Sequence, residues 1–108
     1  MKYLLNIKGN EHEAKFVRFR DADFRNGNRS TATIVTELRY AEIVELFTNP
    51  GEWSLTKRYD HDPDIVTDCT DYEKLLSITD TRTGVFEVVL GKATDGEILA
   101  ELLEELNR

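Results

Sequence analysis

Residues 71–108 read DYEKLLSITDTRTGVFEVVLGKATDGEILAELLEELNR, and we expect the rest of the chain to be organised around this segment. Two strand-like runs, 73–81 and 85–92, flank the short connection Arg82-Thr83-Gly84. Glycine accepts a positive φ at little cost, and a short glycine-containing connection between two such runs is typical of a β-hairpin. The sequence therefore predicts an antiparallel hairpin here.

A helix is predicted to begin directly after this hairpin. Thr94 and Glu97 stand three residues apart, so each side chain can bond the backbone amide of the other in a capping box. Apolar residues then recur at spacings of three and four and form one stripe along the helix: Ile98, Leu99, Leu102, Leu103 and Leu106. We expect this stripe to lie across one face of a sheet.

The part of the chain before residue 40 predicts three further strands. Strand-like runs at 3–8 and 14–20 are separated by polar residues 9–13, which we interpret as a turn. Asn26-Gly27-Asn28 marks a second turn, because Asn and Gly tolerate positive φ, and a strand rich in Thr, Ile and Val follows at 30–35.

The middle of the chain predicts a short helix and then another strand. Tyr40, Ile43, Val44 and Phe47 recur at helical spacing, and Pro50 prevents the helix from continuing. Trp53 opens the next strand, where we expect it to pack in the core or at its edge, with a binding anchor as the alternative. Together the patterns predict one α+β domain over residues 1–108, an antiparallel sheet of five to six strands with two helices packed on it, in the order β-β-β-α-β-β-β-α.

Composition and charge limit the classes of partner. The 108 residues are 40% hydrophobic and 32% charged, as in an ordinary globular domain, and no apolar run approaches the roughly 18 residues of a membrane-spanning helix. Residues 1–59 hold 10 Lys and Arg against 8 Asp and Glu, a charge of +2, whereas residues 60–108 hold 4 against 13, a charge of -9. This balance argues against a general nucleic-acid binder, which needs clustered cations, and it permits binding to a protein partner with a basic surface.

One acidic segment has the spacing of a calcium loop. Asp60, Asp62 and Asp64 match the first side-chain ligands of an EF-hand, and Asp71 matches its twelfth position. Ile65 stands where the loop requires glycine, and Asp71 is shorter than the usual bidentate Glu. We therefore interpret these residues and Asp68 as a solvated acidic loop that binds a partner, with a weak divalent-cation site as the alternative.

A second acidic surface lies on the predicted helix. Its carboxylates are Glu97, Glu101, Glu104 and Glu105. Glu97 and Glu101, and likewise Glu101 and Glu105, are like-charge pairs four residues apart. Each such pair destabilises a helix by about 0.2–0.5 kcal/mol, so this face lowers the stability of the predicted helix. Solubility explains such a face, and so does contact with a basic partner.

No catalytic arrangement is present in the sequence. His12 and His61 fall in separate polar segments without a partner at a recognisable spacing, and no glycine pattern for binding phosphate occurs. The single Cys69 is a poor nucleophile, because the charges of Asp68 and Asp71 raise a thiol pKa. We expect a protein that is not an enzyme and that uses no cofactor or metal.

Four arginines lie close together in the first half of the chain: Arg18, Arg20, Arg25 and Arg29. We expect them to be solvated and paired with the nearby carboxylates of Asp21, Asp23 and Glu37. The alternative is a patch that binds an anion or an acidic partner.

Several short motifs resemble those of small proteins encoded by tailed phages and prophages of Gram-positive bacteria: Glu45-Leu46-Phe47, Trp53-Ser54-Leu55, Asp71-Tyr72, residues 78–84 and residues 89–94. The resemblance covers about half of the chain. It implies a phage protein that inhibits host defence, with an acidic surface that mimics nucleic acid, or else an accessory protein of the tail or baseplate. The first would act in the host cytoplasm and the second would be part of the virion.

Overall fold

Eight strands and two α-helices follow one another in a computed structural model that describes residues 1–107. They are β1 (Lys2–Ile7), β2 (Asn10–Ala14), β3 (Phe16–Asp23), β4 (Arg29–Thr36), α1 (Tyr40–Phe47), β5 (Trp53–Arg58), β6 (Ile65–Asp68), β7 (Tyr72–Asp80), β8 (Phe86–Lys92) and α2 (Asp95–Leu106). The architecture is α+β, as the sequence predicts, with the two predicted helices in their predicted places.

The strands form two antiparallel sheets of four strands each. The first sheet has the order β2-β1-β5-β6 and the second the order β3-β4-β8-β7. Only Lys15 separates β2 from β3, so the chain passes from one sheet to the other at this residue. The amide of Lys15 donates to the carbonyl of Val35 at 2.8 Å, which ties the corner to β4.

The prediction of five to six strands and of the order β-β-β-α-β-β-β-α is wrong in detail, because two polar edge strands were not recognised. Lys8 and Gly9 both have positive φ (53° and 78°), so they make a tight two-residue turn and residues 10–14 pair with β1 as β2. Edge strands tolerate charged residues, which helps them avoid aggregation. The other missed strand, β6, lies inside the segment predicted to be an acidic loop, and all four of its residues are exposed.

The core lies between the two sheets and is closed by α1. Its buried residues include Leu5 and Leu55 from the first sheet, Ile34 and Val88 from the second, and Phe47 from α1. The ring of Phe47 meets that of Trp53 edge to face, with centroids 6.2 Å apart. Trp53 is 2% exposed, which confirms that it is a core residue.

The prediction that α2 lies across a sheet is wrong. None of the described residues of α2 is buried, and the five apolar residues of its stripe are all exposed. The buried side chains of the two sheets and of α1 form one core, and none of the described residues of α2 belongs to it. The helix stands on the outside of the molecule.

Candidate functional site

The predicted capping box fixes the N-terminus of α2. The Thr94 hydroxyl oxygen accepts a hydrogen bond from the amide of Glu97 at 3.2 Å. Glu97 Oε1 accepts from the amide of Thr94 at 2.9 Å and from its hydroxyl at 3.0 Å. These bonds to Thr94, and then the charge of Arg29, hold the pKa of the Glu97 carboxyl below its usual value.

Two ion pairs turn one face of α2 toward the body. Arg29 Nη1, from β4, lies 2.9 Å from Glu97 Oε1, and Lys74 Nζ, from β7, lies 3.1 Å from Glu101 Oε1. Glu97 and Glu101 are one helical turn apart and therefore share a face. These two carboxylates, which the sequence predicts to bind a partner, therefore attach the helix to the body.

Arg29 is held by the backbone as well as by Glu97. Its Nε donates to the carbonyl of Asn26 at 3.0 Å, and its Nη1 donates to the carbonyl of Lys92 at 3.4 Å. A Cβ atom added at Gly91 would lie 2.6 Å from Arg29 Cδ and 2.8 Å from Leu76 Cδ1. Gly91 thus leaves the space through which the arginine side chain reaches α2.

The apolar stripe of α2 points away from this attachment. Ile98, Leu99, Leu102 and Leu103 are between 46% and 57% exposed, and Leu106 is 80% exposed. With about 100° between successive residues, the middle of the stripe lies roughly opposite the face that holds Glu97 and Glu101. The helix therefore presents its apolar side to the solvent, which is the reverse of the usual arrangement.

The two predicted acidic segments meet at one point. An open cleft of about 370 Å³ lies between α2 and the end of the second sheet, and it is lined by Asp71, Glu73, Lys92, Ala93, Ile98 and Glu101. Asp71 and Glu73 form no ion pair within residues 1–107. Carboxylates and Ile98, the first residue of the apolar stripe, thus line the same cleft.

The rest of the acidic segment lies elsewhere. Asp64 pairs with Arg58, whose Nε lies 3.2 Å from Asp64 Oδ2. Asp68 accepts from the hydroxyl and the amide of Thr70 at 2.6 and 3.0 Å, and these bonds lower the pKa of its carboxyl. Asp60 lines a separate depression beside β1 and β2, and Asp62 is exposed. Within residues 1–107, no three His, Cys, Asp or Glu side chains are arranged to hold a metal ion.

The candidate catalytic side chains do not converge. His12 belongs to β2 rather than to the predicted turn, and its Nε2 is buried without a hydrogen-bond partner in the described part of the chain. His61 is exposed. Cys69 is buried in the core, and burial, more than the charge of Asp68, raises the pKa of its thiol to about 11.

The expected arginine pairs are absent from residues 1–107. Glu37 pairs with Lys15 at 2.9 Å instead. Asp23 accepts from Asn26, Thr31 and the Arg25 amide rather than from an arginine side chain. Arg18 and Arg20 are exposed on β3.

Arg29 and Lys74, the two cations that orient α2, cannot be recognised as such from the sequence pattern. One signal was available, since a glycine inside a strand pattern, here Gly91, indicates that another group approaches the backbone closely. That signal does not say which group approaches.

The chain matches no protein-family model, no curated protein and no solved structure. Across residues 1–107, no helix has both the length and the apolar character needed to cross a bilayer.

Proposed function

We propose that this chain is a non-enzymatic protein-binding domain and that α2 is its binding element. The apolar stripe enters a groove on the partner, and the neighbouring carboxylates face lysines or arginines on the rim of that groove. The observation that supports this proposal is the exposure of all five stripe residues on a helix that is attached by its opposite face. Docking of an amphipathic helix into an apolar groove is a common mode of protein recognition.

The free energies of apolar burial and of exposed ion pairs indicate which part of α2 supplies the affinity. Burying a whole Leu or Ile side chain contributes about 1.5–3 kcal/mol, so a side chain that is already half covered contributes about 1 kcal/mol more. The five stripe residues together offer about 5 kcal/mol before the costs of association. An exposed ion pair contributes about 0–1 kcal/mol. The stripe therefore provides the affinity, and the charges provide orientation and a faster association rate.

The chemistry of the partner follows from the carboxylates beside the stripe. Asp71, Glu73 and Glu101 line the cleft next to Ile98, and Glu105 is exposed on the last turn of α2. A partner with lysines or arginines around its groove meets these carboxylates, whereas an acidic partner is repelled. Direct binding to nucleic acid does not fit this surface.

The resemblance to phage proteins supports two biological roles for such a domain. As an inhibitor of host defence, the chain would occupy a basic groove that otherwise binds nucleic acid. As an accessory of the tail or baseplate, it would dock through α2 onto another structural protein. Retention of the chain in purified virions would favour the second role, and its recovery only from the host cell would favour the first.

A pair of synthetic peptides tests the binding mode. Both carry the same leucine stripe, flanked by lysines in one peptide and by glutamates in the other, and binding is followed by fluorescence anisotropy. We expect the lysine peptide to bind more than tenfold tighter, with an affinity that falls as salt is added. Leu102→Glu should weaken binding at least tenfold, whereas Ala100→Glu, which adds the same charge at an exposed position outside the stripe, should change it little.

A second matched pair of variants tests whether the carboxylates of α2 speed association with the partner. Glu105→Lys should slow association with the lysine peptide, whereas Arg18→Glu, on the exposed side of β3, should not. If Leu102→Glu leaves binding intact while Arg18→Glu changes it strongly, the arginines of β3 form the binding surface and the proposal fails.

A further inference from the structure

We infer that in the free chain the stripe of α2 is covered by a second copy of the chain, with the two α2 helices antiparallel, so that a partner must displace that copy. The inference rests on the proposed function, because it concerns the same stripe. It identifies what occupies that surface before a partner arrives, and it makes partner binding and self-association compete.

The spacing of the stripe is that of a helix–helix seam. Leu99, Leu102 and Leu106 follow one another at intervals of three and four, as at the alternating core positions of a coiled coil. Ile98 and Leu103 lie beside them and widen the seam on either side. Because the middle of the stripe lies opposite the attached face, it is open to a second α2, whereas Ile98, at the start of the stripe, adjoins the body at the cleft lined by Asp71 and Glu73.

The charges of α2 permit an antiparallel pair and oppose a parallel one. Glu97 and Glu101 are turned toward the body, where Arg29 and Lys74 partly neutralise them. With Leu102 of each copy at the two-fold axis, the two Glu105 side chains stand about 9 Å apart along the helices, at a rise of about 1.5 Å per residue. That distance is near the screening length of about 8 Å at physiological salt. A parallel pair would align the two Glu105 side chains and both helix dipoles.

The size of the seam indicates a weak dimer. Two copies bring ten stripe side chains, each about half exposed or more, which together cover on the order of 1,000 Å². This area is near the lower limit for a specific interface between proteins. A contact of this size forms at high protein concentration and can be displaced by a partner that also offers complementary charge.

The effect of salt on binding distinguishes the two occupants of the stripe, the second copy and the basic partner. Each copy carries a formal charge of -7, so two copies repel each other, and added salt should strengthen their association. A basic partner is attracted, and added salt should weaken its binding. The same surface thus has opposite salt dependences for the two occupants.

Analytical ultracentrifugation over a range of protein and salt concentrations measures the self-association. We expect the native chain to pass from monomer to dimer as protein concentration rises, at lower concentration in high salt. Leu102→Glu should raise the dissociation constant at least tenfold, and Ala100→Glu should change it less than threefold. Circular dichroism of both variants checks that each one is folded.

Disulfide trapping tests the antiparallel register. With Leu102→Cys, the thiols of the two copies face each other at the two-fold axis, so oxidation should give a covalent dimer. Leu99→Cys places the thiols about 9 Å apart along the helix axis and should give little dimer. The native Cys69 is buried, with a thiol pKa of about 11, so it does not compete.

The outcomes distinguish this inference from the proposed function. A chain that stays monomeric at every concentration, or a dimer that Leu102→Glu leaves intact, overturns the inference while the peptide experiment decides the function separately. A dimer that forms a disulfide through Leu102→Cys and dissociates in Leu102→Glu supports the inference. If that dimer forms but the lysine peptide binds native chain and Leu102→Glu equally, the proposed function fails and the second copy is the occupant.

Discussion

At the scale of single residues, the lack of a side chain at Gly91 leaves room for the arginine that pairs with α2. The aliphatic part of Arg29 crosses the sheet over this glycine and carries its guanidinium to Glu97, at the first turn of α2. The same guanidinium also bonds the carbonyls of Asn26 and Lys92. One residue therefore links the β3–β4 turn, the end of β8 and the start of the helix.

Gly91→Ala tests this role, with Gly96→Ala as its control. The new methyl group would lie 2.6 Å from Arg29 Cδ, so the arginine must move away from Glu97, at a cost of about 1–3 kcal/mol. Gly96 lies in α2, and beyond its chain neighbours and the helix backbone the nearest atom to an added Cβ is Thr94 Oγ1 at 4.0 Å, so Gly96→Ala should be neutral or stabilise by up to about 1 kcal/mol. Thermal unfolding measures both, and a Gly91→Ala chain as stable as Gly96→Ala would show that Arg29 adapts freely.

Asp23 makes stability depend on acid pH. Its hydrogen bonds to Asn26, first, and to Thr31 and the Arg25 amide hold the pKa of its carboxyl below the ordinary 3.8. A lowered pKa in the folded chain means that Asp23 stabilises the fold above pH 3.8, and that this contribution disappears as pH falls through the folded value. Asp23→Asn should therefore lower the Tm at pH 7 and reduce its fall between pH 7 and pH 2, whereas Asp62→Asn, at an exposed position, should do neither.

At the scale of elements, the sequence predicts correctly those caps and turns that depend on residues close to one another in the chain. The capping box at Thr94, the turn at Gly27 and the hairpin turn at Gly84 each depend on residues close in sequence, and all three are confirmed. The strands β2 and β6 were missed because edge strands need no apolar alternation. The position of α2 was wrong because an amphipathic pattern shows that a helix has an apolar face, but not what covers it.

Truncation to alanine on each helix measures how much each one contributes to the stability of the fold. Ile43→Ala, in α1, removes a fully buried side chain and should cost about 2–5 kcal/mol. Leu102→Ala, in α2, removes a side chain that is 52% exposed and should cost less than about 1 kcal/mol in the monomer. Chemical denaturation at low protein concentration gives both values, and equal losses would mean that α2 packs against the body.

At the scale of the whole molecule, two sheets and α1 enclose a core to which α2 contributes no residue. The acidic half of the sequence is divided accordingly. One part of its carboxylates stabilises turns or attaches α2, as Asp68 and Glu97 do, and another part, including Asp71, stays open to solvent beside the stripe. Net charge alone could not show this division, because it depends on which cations the fold brings to each carboxylate.

Removal of residues 94–108 should therefore leave a folded body. The deletion breaks the ion pairs of Arg29 and Lys74 with α2, but it takes no residue from the core, so we expect the Tm to fall by only a few degrees. Phe47→Ala, which removes a fully buried ring, should cost about 3–5 kcal/mol and lower the Tm much further. Calorimetry of the two chains makes the comparison, and the shortened chain should neither self-associate nor bind the lysine peptide. If the shortened chain is unfolded, α2 belongs to the core, its stripe is not a free surface, and the function proposed for it cannot hold.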